Sequence, residues 1–265
     1  MRLFFARSRK SVALVQKARL EHMVFRPTVF FSGPNVQSIL TLALERATLN
    51  MNWHYSLERE LAPLADGGST AIDWVLPAGV NDLSELKHLP LLAIVPGITG
   101  ENSDYYVRTV IAEALRNGYQ AVVINHRGAQ GTKLSTPRLY HAGSSDDLRD
   151  CVNFIRSRLK ERSLFLAGFS LGGNVVAKYL GEEGRHSCVK GAVCVGVPFD
   201  LEVVAQNVEN NLFGFYHYAI AVPYKERYAR HADVLDSLQD SHRVSVRDAL
   251  RSAKTVMSFD AVIIR

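Results

Sequence analysis

The sequence predicts an α/β fold: a mostly parallel sheet with helices on both faces and a helical segment placed over the strand ends. Three observations predict it. Between residues 89 and 197, short apolar runs alternate with longer amphipathic stretches. The connections between them are short, the arrangement that βαβ crossovers produce. After Asp200 the alternation stops, and a polar, helix-like stretch follows.

The elements follow in order. Val36 to Leu49 reads as a helix opened by the turn residues Ser32-Gly33-Pro34-Asn35. Asp66-Gly67-Gly68 is a turn, and Ser69 to Leu76 is a strand. Leu89 to Val95 is an apolar run suited to a buried strand. Tyr105 to Asn117 is a helix ended by Gly118, and Tyr119 to Asn125 is the next strand. Ser144-Ser145-Asp146-Asp147 opens a helix to about Lys160, with Leu148, Cys151, Val152, Ile155 and Leu159 on one face. Leu164–Ala167, Leu171–Leu180 and Lys190–Val197 then read as strand, helix and strand. The expected division is a basic N-terminal arm and helix over 1–68, the α/β core over 69–200, and a helical cap region over 201–265, with the core incomplete after it. An ordinary helical extension is the alternative to a cap. Ligands of such sheets bind beyond the carboxyl ends of the strands, so the loops after Val95, Asn125, Ala167 and Val197 are where chemistry belongs.

Composition narrows the classes. The chain has 265 residues, enough for a sizeable core, with 31 basic against 26 acidic residues and a net charge of +5. That excess is modest and forms no separate basic domain, which argues against nucleic-acid binding. Cys151, Cys188 and Cys194 lack zinc-type spacing; Cys151 and Cys194 read as buried small apolar residues. No N-x-Ser/Thr sequon occurs, and no apolar run approaches the roughly 18–20 residues of a membrane-spanning helix. Residues 1–20 hold Arg2, Arg7, Arg9, Lys10, Lys17 and Arg19 and no acid. That pattern suits an organelle transit peptide, a membrane-surface helix or a plain exposed basic helix, and leaves the compartment open between cytoplasm, membrane surface and organelle.

The chemistry concentrates at Gly168-Phe169-Ser170-Leu171-Gly172, a G-x-S-x-G sequence with an apolar strand leading in and a helix leading out. This is the context of a nucleophile elbow. Gly168 and Gly172 leave room for the turn, and the helix N-terminus lies where it can stabilise negative charge beside the Ser170 oxygen. An oxyanion hole would use the N–H of Leu171, the residue after the serine, and a second N–H from an earlier strand loop. Pro96-Gly97-Ile98-Thr99-Gly100 stands in such a loop, and Ile98 is the expected donor. His141 and Asp146 also match an H-x4-D pattern of some acyltransferases, although Asp146 is better explained as a first-turn helix acid. No metal or organic cofactor is implied.

Several stretches together resemble the α/β-hydrolase subfamily of the abhydrolase-domain 1 and 3 proteins with their bacterial and plant relatives. They are Phe25-Arg26-Pro27-Thr28, Pro96-Gly97-Ile98-Thr99-Gly100, Asn125-His126-Arg127-Gly128 with Thr136-Pro137-Arg138-Leu139-Tyr140, Gly168 to Asn174, and Val197-Pro198-Phe199-Asp200. The resemblance spans about residues 25–200. It implies the α/β-hydrolase fold and serine-dependent hydrolysis of carboxylic esters, with lipids such as acylglycerols or phospholipids as substrates. Several eukaryotic members of that family are membrane-anchored at the N-terminus, an anchor that this sequence is expected to lack.

The chain departs from the family pattern after Ser170. The triad of this fold runs Ser, then Asp or Glu, then His, and by comparison with the family the acid and histidine positions lie past Arg265, as do the last strands. Asp200 could serve as the acid, but His217, His231 and His242 fall in the cap-like region, and His126 is expected to shape its own loop. A serine without a base is a poor nucleophile, so residues 1–265 alone are expected to show little or no esterase turnover. An inactive fragment or pseudoenzyme with a binding role, and an acyltransferase using the same serine, are the alternatives.

Overall fold

The computed structural model describes residues 8–24, 26, 33, 35–38, 40, 53–159, 162–210, 215–238 and 245–252. The chain divides into two compact units, residues 1–48 and 49–265. In the first, helix α1 (Arg9–Lys17) starts at Ser8, whose hydroxyl accepts from the Ser11 N–H. Lys17 in its last turn complements the helix dipole. Residues 35–38 and 40 are helical, in keeping with the start of the helix expected over Val36–Leu49; its remainder lies outside the described residues. Phe25, Pro27 and Thr28 lie there too. No helix among the described residues is long and apolar enough to cross a membrane.

The second unit is built on a six-stranded sheet in the order β1-β2-β4-β3-β5-β6. Its strands are β1 (Tyr55–Pro63), β2 (Ser69–Pro77), β3 (Leu91–Val95), β4 (Gln120–Ile124), β5 (Leu164–Phe169) and β6 (Val189–Val195). β3 to β6 are parallel, whereas β1 and β2 form an antiparallel hairpin that joins the sheet against β4. The turn at Asp66-Gly67-Gly68 closes that hairpin: Gly67 has φ +82°, and Leu64 N–H donates to Gly68 O at 2.9 Å.

The sequence reading placed β1 inside the N-terminal arm and missed it. The strand is an edge strand with both faces largely wet, and Leu57, Glu58, Arg59 and Leu61 are all exposed. Only one residue of β1, Ala62, is fully buried, so the alternation that reveals a strand is absent.

The inner strands show why both faces carry helices. Ala93, Val95, Val122 and Ile124 point to one side, where they meet Leu148, Cys151, Val152 and Ile155 of α3 (Asp146–Leu159) and Val175, Val176 and Tyr179 of α4 (Leu171–Glu183). The intervening Ile94, Ala121 and Val123 point to the other side, against Val107, Ile111 and Ala114 of α2 (Tyr105–Arg116). This is the period of two of a strand buried on both faces. Each fully buried Val, Leu or Ile contributes about 1.5–3 kcal/mol.

After β6 come α5 (Leu201–Asn210), α6 (Phe215–Arg230), α7 (Ala232–Leu235) and α8 (Val246–Ser252). Tyr224, Tyr228, Ala232, Val246 and Ala249 of this region form a cluster of their own with Leu134 and Leu139 from the loop after β4. Ile98, from the loop after β3, packs against it. The helical region therefore touches two of the loops at the carboxyl ends of the strands.

Candidate active site

Ser170 sits between β5 and α4 in the conformation an elbow demands. It has φ +51° and ψ −119°, a left-handed-side backbone that L-residues rarely adopt, and its side chain is exposed. Such strain, on the order of 1–3 kcal/mol, persists only where the surroundings enforce it. Here Ser170 N–H donates to Val195 O at 2.9 Å, and Ser170 O accepts the N–H of Asn174 at 3.0 Å. The Asn174 amide in turn donates to Pro198 O.

Glycines make the approach possible. A Cβ on Gly172 would run into the carbonyl oxygens of Val95 and Pro96, so only glycine lets α4 press against the end of β3. A Cβ on Gly168 would lie 2.7 Å from the Gly172 oxygen and from the Gly173 Cα. Both elbow glycines are thus required by close contact.

The loop after β3 faces the serine. A Cβ built on Gly97 would lie 3.5 Å from the Ser170 Cβ. Neither the Ile98 N–H nor the Leu171 N–H has a hydrogen-bond acceptor among the described residues, so both expected oxyanion donors are free. The loop itself is held on several sides. Gly97 N–H donates to the Tyr106 hydroxyl at 3.0 Å, Gly100 N–H donates to Gly97 O at 3.0 Å, and Glu101 N–H donates to Asp104. His126 Nε2 donates to Pro96 O at 3.0 Å. The Tyr140 hydroxyl donates to Ile98 O, and Arg227 reaches the carbonyls of Ile98 and Thr99.

His126 and Tyr140 belong to two separate sequence motifs that the fold joins. Their rings stack with centroids 4.1 Å apart and planes 17° from parallel. The His126 pKa is driven down to about 4, chiefly by burial and in smaller part by the Arg227 cation, against the opposing bond to Pro96 O. His126 is therefore neutral and shapes its loop, as its position before the serine suggested. Arg127 beside it is buried and holds Asp147 and Asp66 through ion pairs at 2.5 and 2.8 Å. Those bonds tie α3 and the β1–β2 turn to the loop after β4.

The remaining candidates fall elsewhere. Asp200 accepts the Val203 N–H at 3.0 Å as the cap of α5. Asp146 is a first-turn acid bonded to Ser144 and Arg138. His231 Nε2 donates to Gly128 O at 2.9 Å, and the Gly143 N–H donates to His141 Nδ1. His242 and the side chain of His217 lie outside the described residues. Among the described residues, no histidine or carboxylate hydrogen-bonds the Ser170 hydroxyl. Cys151 is buried, and its burial raises the thiol pKa so that it stays protonated; Cys194 is only half-buried. Two residues at this site were not found from the sequence. Tyr106 gave no signal beyond its place in a helix, and Arg227 gave only a charge on an otherwise ordinary helical stretch.

Comparison with known proteins agrees with this geometry. The model of the alpha/beta hydrolase fold family matches residues 90–235. The embryogenesis-associated protein EMB8 of Picea glauca is 30% identical over 213 residues, covering 78% of this chain and 46% of that protein. The monoacylglycerol lipase of Saccharomyces cerevisiae is 33% identical over 177 residues, covering 66% and 39%. The phospholipase ABHD3 of Homo sapiens is 26% identical over 202 residues, covering 76% and 48%. The chain thus spans less than half the length of each of these three relatives. The Pyrococcus furiosus esterase Pf2001 superposes with a TM-score of 0.52 at 16% identity, covering 66% of this chain and 67% of that one, a likeness of fold. With the elbow, the sheet order and the family match over residues 90–235 in agreement, the chain belongs to the α/β-hydrolase fold family, among its abhydrolase-domain members.

Proposed function

We propose that this chain carries the nucleophile and oxyanion hole of a serine ester hydrolase acting on lipid esters of the acylglycerol or phospholipid class. The observation that carries the reading is Ser170 on a strained, exposed elbow, with the loop after β3 packed against it and the N–H groups of Ile98 and Leu171 free among the described residues. Ser170 Oγ attacks the ester carbonyl, and the N–H groups of Ile98 and Leu171 receive the developing oxyanion. The dipole of the 13-residue helix α4 adds to that stabilisation at its N-terminus. Collapse of the tetrahedral intermediate expels the alcohol, which takes up the proton that Ser170 gave to the base on attack, and leaves an acyl-serine that water then cleaves. The substrate class follows from the relatives named monoacylglycerol lipase and phospholipase. Exposed basic and apolar residues of the N-terminal unit, such as Arg9, Lys10 and Leu14, suit contact with a lipid surface.

The base and its acid partner come, in this reading, from outside the described residues. Losing the base from a serine triad costs roughly 10^6 in kcat and leaves about 10^3–10^4 over water. With no histidine or carboxylate bonded to the Ser170 hydroxyl among the described residues, residues 1–265 should hydrolyse p-nitrophenyl butyrate slowly. Added imidazole should raise the rate above the protein-free blank, and Ser170→Ala should remove that imidazole-dependent part. An imidazole response equal in both proteins would refute Ser170 as nucleophile. It would favour the second reading, a catalytically silent binding protein, which the Ser170 hydroxyl, unpartnered among the described residues, also supports.

A further inference from the structure

Arg227 is charged, buried and used by no step above. Its side chain is 3% exposed, although it sits on α6 in the helical region far along the chain from the elbow. Its Nη1 donates to the Tyr140 hydroxyl at 2.7 Å and to Ile98 O at 3.3 Å. Its Nη2 donates to Thr99 O at 3.2 Å and to Glu101 Oε1 at 3.2 Å. The guanidinium also lies 5.6 Å from the centre of the Tyr140 ring. Its buried Nε has no partner among the described residues. A buried cation costs several kcal/mol of desolvation, and among the described residues one carboxylate, partly exposed, is its charged partner. An arrangement that serves stability alone would pair it more fully. The bonds instead converge on one short backbone segment.

We infer that Arg227 is a positioning residue for the oxyanion loop: it fixes the carbonyls of Ile98 and Thr99 so that the Ile98 N–H faces Ser170. The inference rests on the serine-hydrolase reading for its catalytic meaning. The geometry is that of a clamp. An arginine fork fixes the directions of two successive carbonyls, which one lysine ammonium does less well. With the 98–99 and 99–100 peptide planes set, the Gly100 N–H bond to Gly97 O orients the peptide that ends in the Ile98 N–H. Tyr140 is the second jaw, braced by its stack on His126, which itself holds Pro96 O. Because α6 supplies the guanidinium, the helical region and the oxyanion hole are assembled together.

The test uses residues 1–265 with Arg227→Met, Arg227→Lys and Tyr140→Phe. Amide hydrogen exchange of Gly97, Gly100 and Glu101 reports loop position without any chemistry. Arg227→Met should speed exchange there at least tenfold while β3, β5 and α4 stay as they were, and lysine should restore part of the protection. The second readout is the rate above water with p-nitrophenyl butyrate, which, with no base bonded to Ser170 among the described residues, reports oxyanion stabilisation. It should fall at least tenfold in kcat for Arg227→Met, with KM within about twofold, and by less for Arg227→Lys and Tyr140→Phe. Unchanged loop exchange, or an effect on KM alone, would overturn the inference. If Arg227→Met unfolds, seen as faster exchange throughout the sheet, the milder Arg227→Lys and Tyr140→Phe decide by the same criteria. A parent protein no faster than water would count against the serine-hydrolase reading, and the exchange result would still decide the clamp.

Discussion

At the scale of single residues, burial decides which groups keep a charge and which lose it. His126 is neutral in the fold, with its pKa near 4 against an ordinary value of about 6.5, and it faces the Arg227 cation and, more distantly, Asp147. The folded state then binds fewer protons than the unfolded chain between these values, so stability rises with pH across that window. The contribution is intact above about pH 6.5 and is lost as pH falls towards 4, on the order of 3 kcal/mol in all. His126→Gln keeps an N–H for Pro96 O and should flatten that part of the curve in urea titrations at successive pH values; an unchanged slope would contradict it. Gly172 makes the opposite point about size. Gly172→Ala places a methyl against the carbonyls of Val95 and Pro96 and should cost ~3 kcal/mol or more in chemical denaturation. Both glycines and the serine were legible in the sequence, because an elbow needs those residue types at that spacing. Arg227 was not, because its role depends on a contact 128 positions away in the chain.

At the scale of elements, the sheet is tied to the active-site loops by buried polar groups on β2. Asp73 is 1% exposed and accepts Nε and Nη2 of Arg59, from β1, at 2.6 and 2.9 Å. It also accepts the amides of Asn102, beyond the oxyanion loop, and of Asn125, at the end of β4. One carboxylate thus joins two strands and two loops. Asp73→Ala should cost about 3 kcal/mol, the low end for breaking a buried ion pair because Arg59 is 37% exposed. Urea unfolding checks the cost, and a loss under ~1 kcal/mol would show the network to be dispensable. The strands and helices from β2 to β6 were legible to within a few residues, since buried parallel strands read as apolar runs and their helices as amphipathic repeats. The hairpin partner β1 was not, because an edge strand wet on both faces has no apolar alternation to read. Asp73 itself stands as a polar interruption in an apolar strand, and its partners are set by strand pairing that the sequence alone does not display.

At the scale of the whole molecule, the sheet among the described residues ends in two edge strands, β1 and β6. Among the described residues, β6 pairs only with β5, and Val193 and Val195 are 62% and 46% exposed. An exposed apolar edge strand of this kind templates pairing with other chains, so residues 1–265 should self-associate. Val193→Lys should weaken that association about tenfold, because the added charges repel each other when two such edges approach. Sedimentation velocity over a concentration series checks this, and a monomer at every concentration would contradict it. The family was legible from the order of the motifs, and the fold shows why they travel together: His126 and Tyr140 stack, and Arg127 joins Asp147 to Asp66. Every proposed step of the chemistry turns on Ser170 as the nucleophile. The most direct measurement is the intact mass of residues 1–265 after reaction with an alkyl fluorophosphonate in the presence of imidazole, followed by peptide mapping. We predict a single adduct on the peptide containing Ser170, formed faster with more imidazole and absent from Ser170→Ala. Adducts scattered over several residues, or an equal adduct on Ser170→Ala, would contradict it.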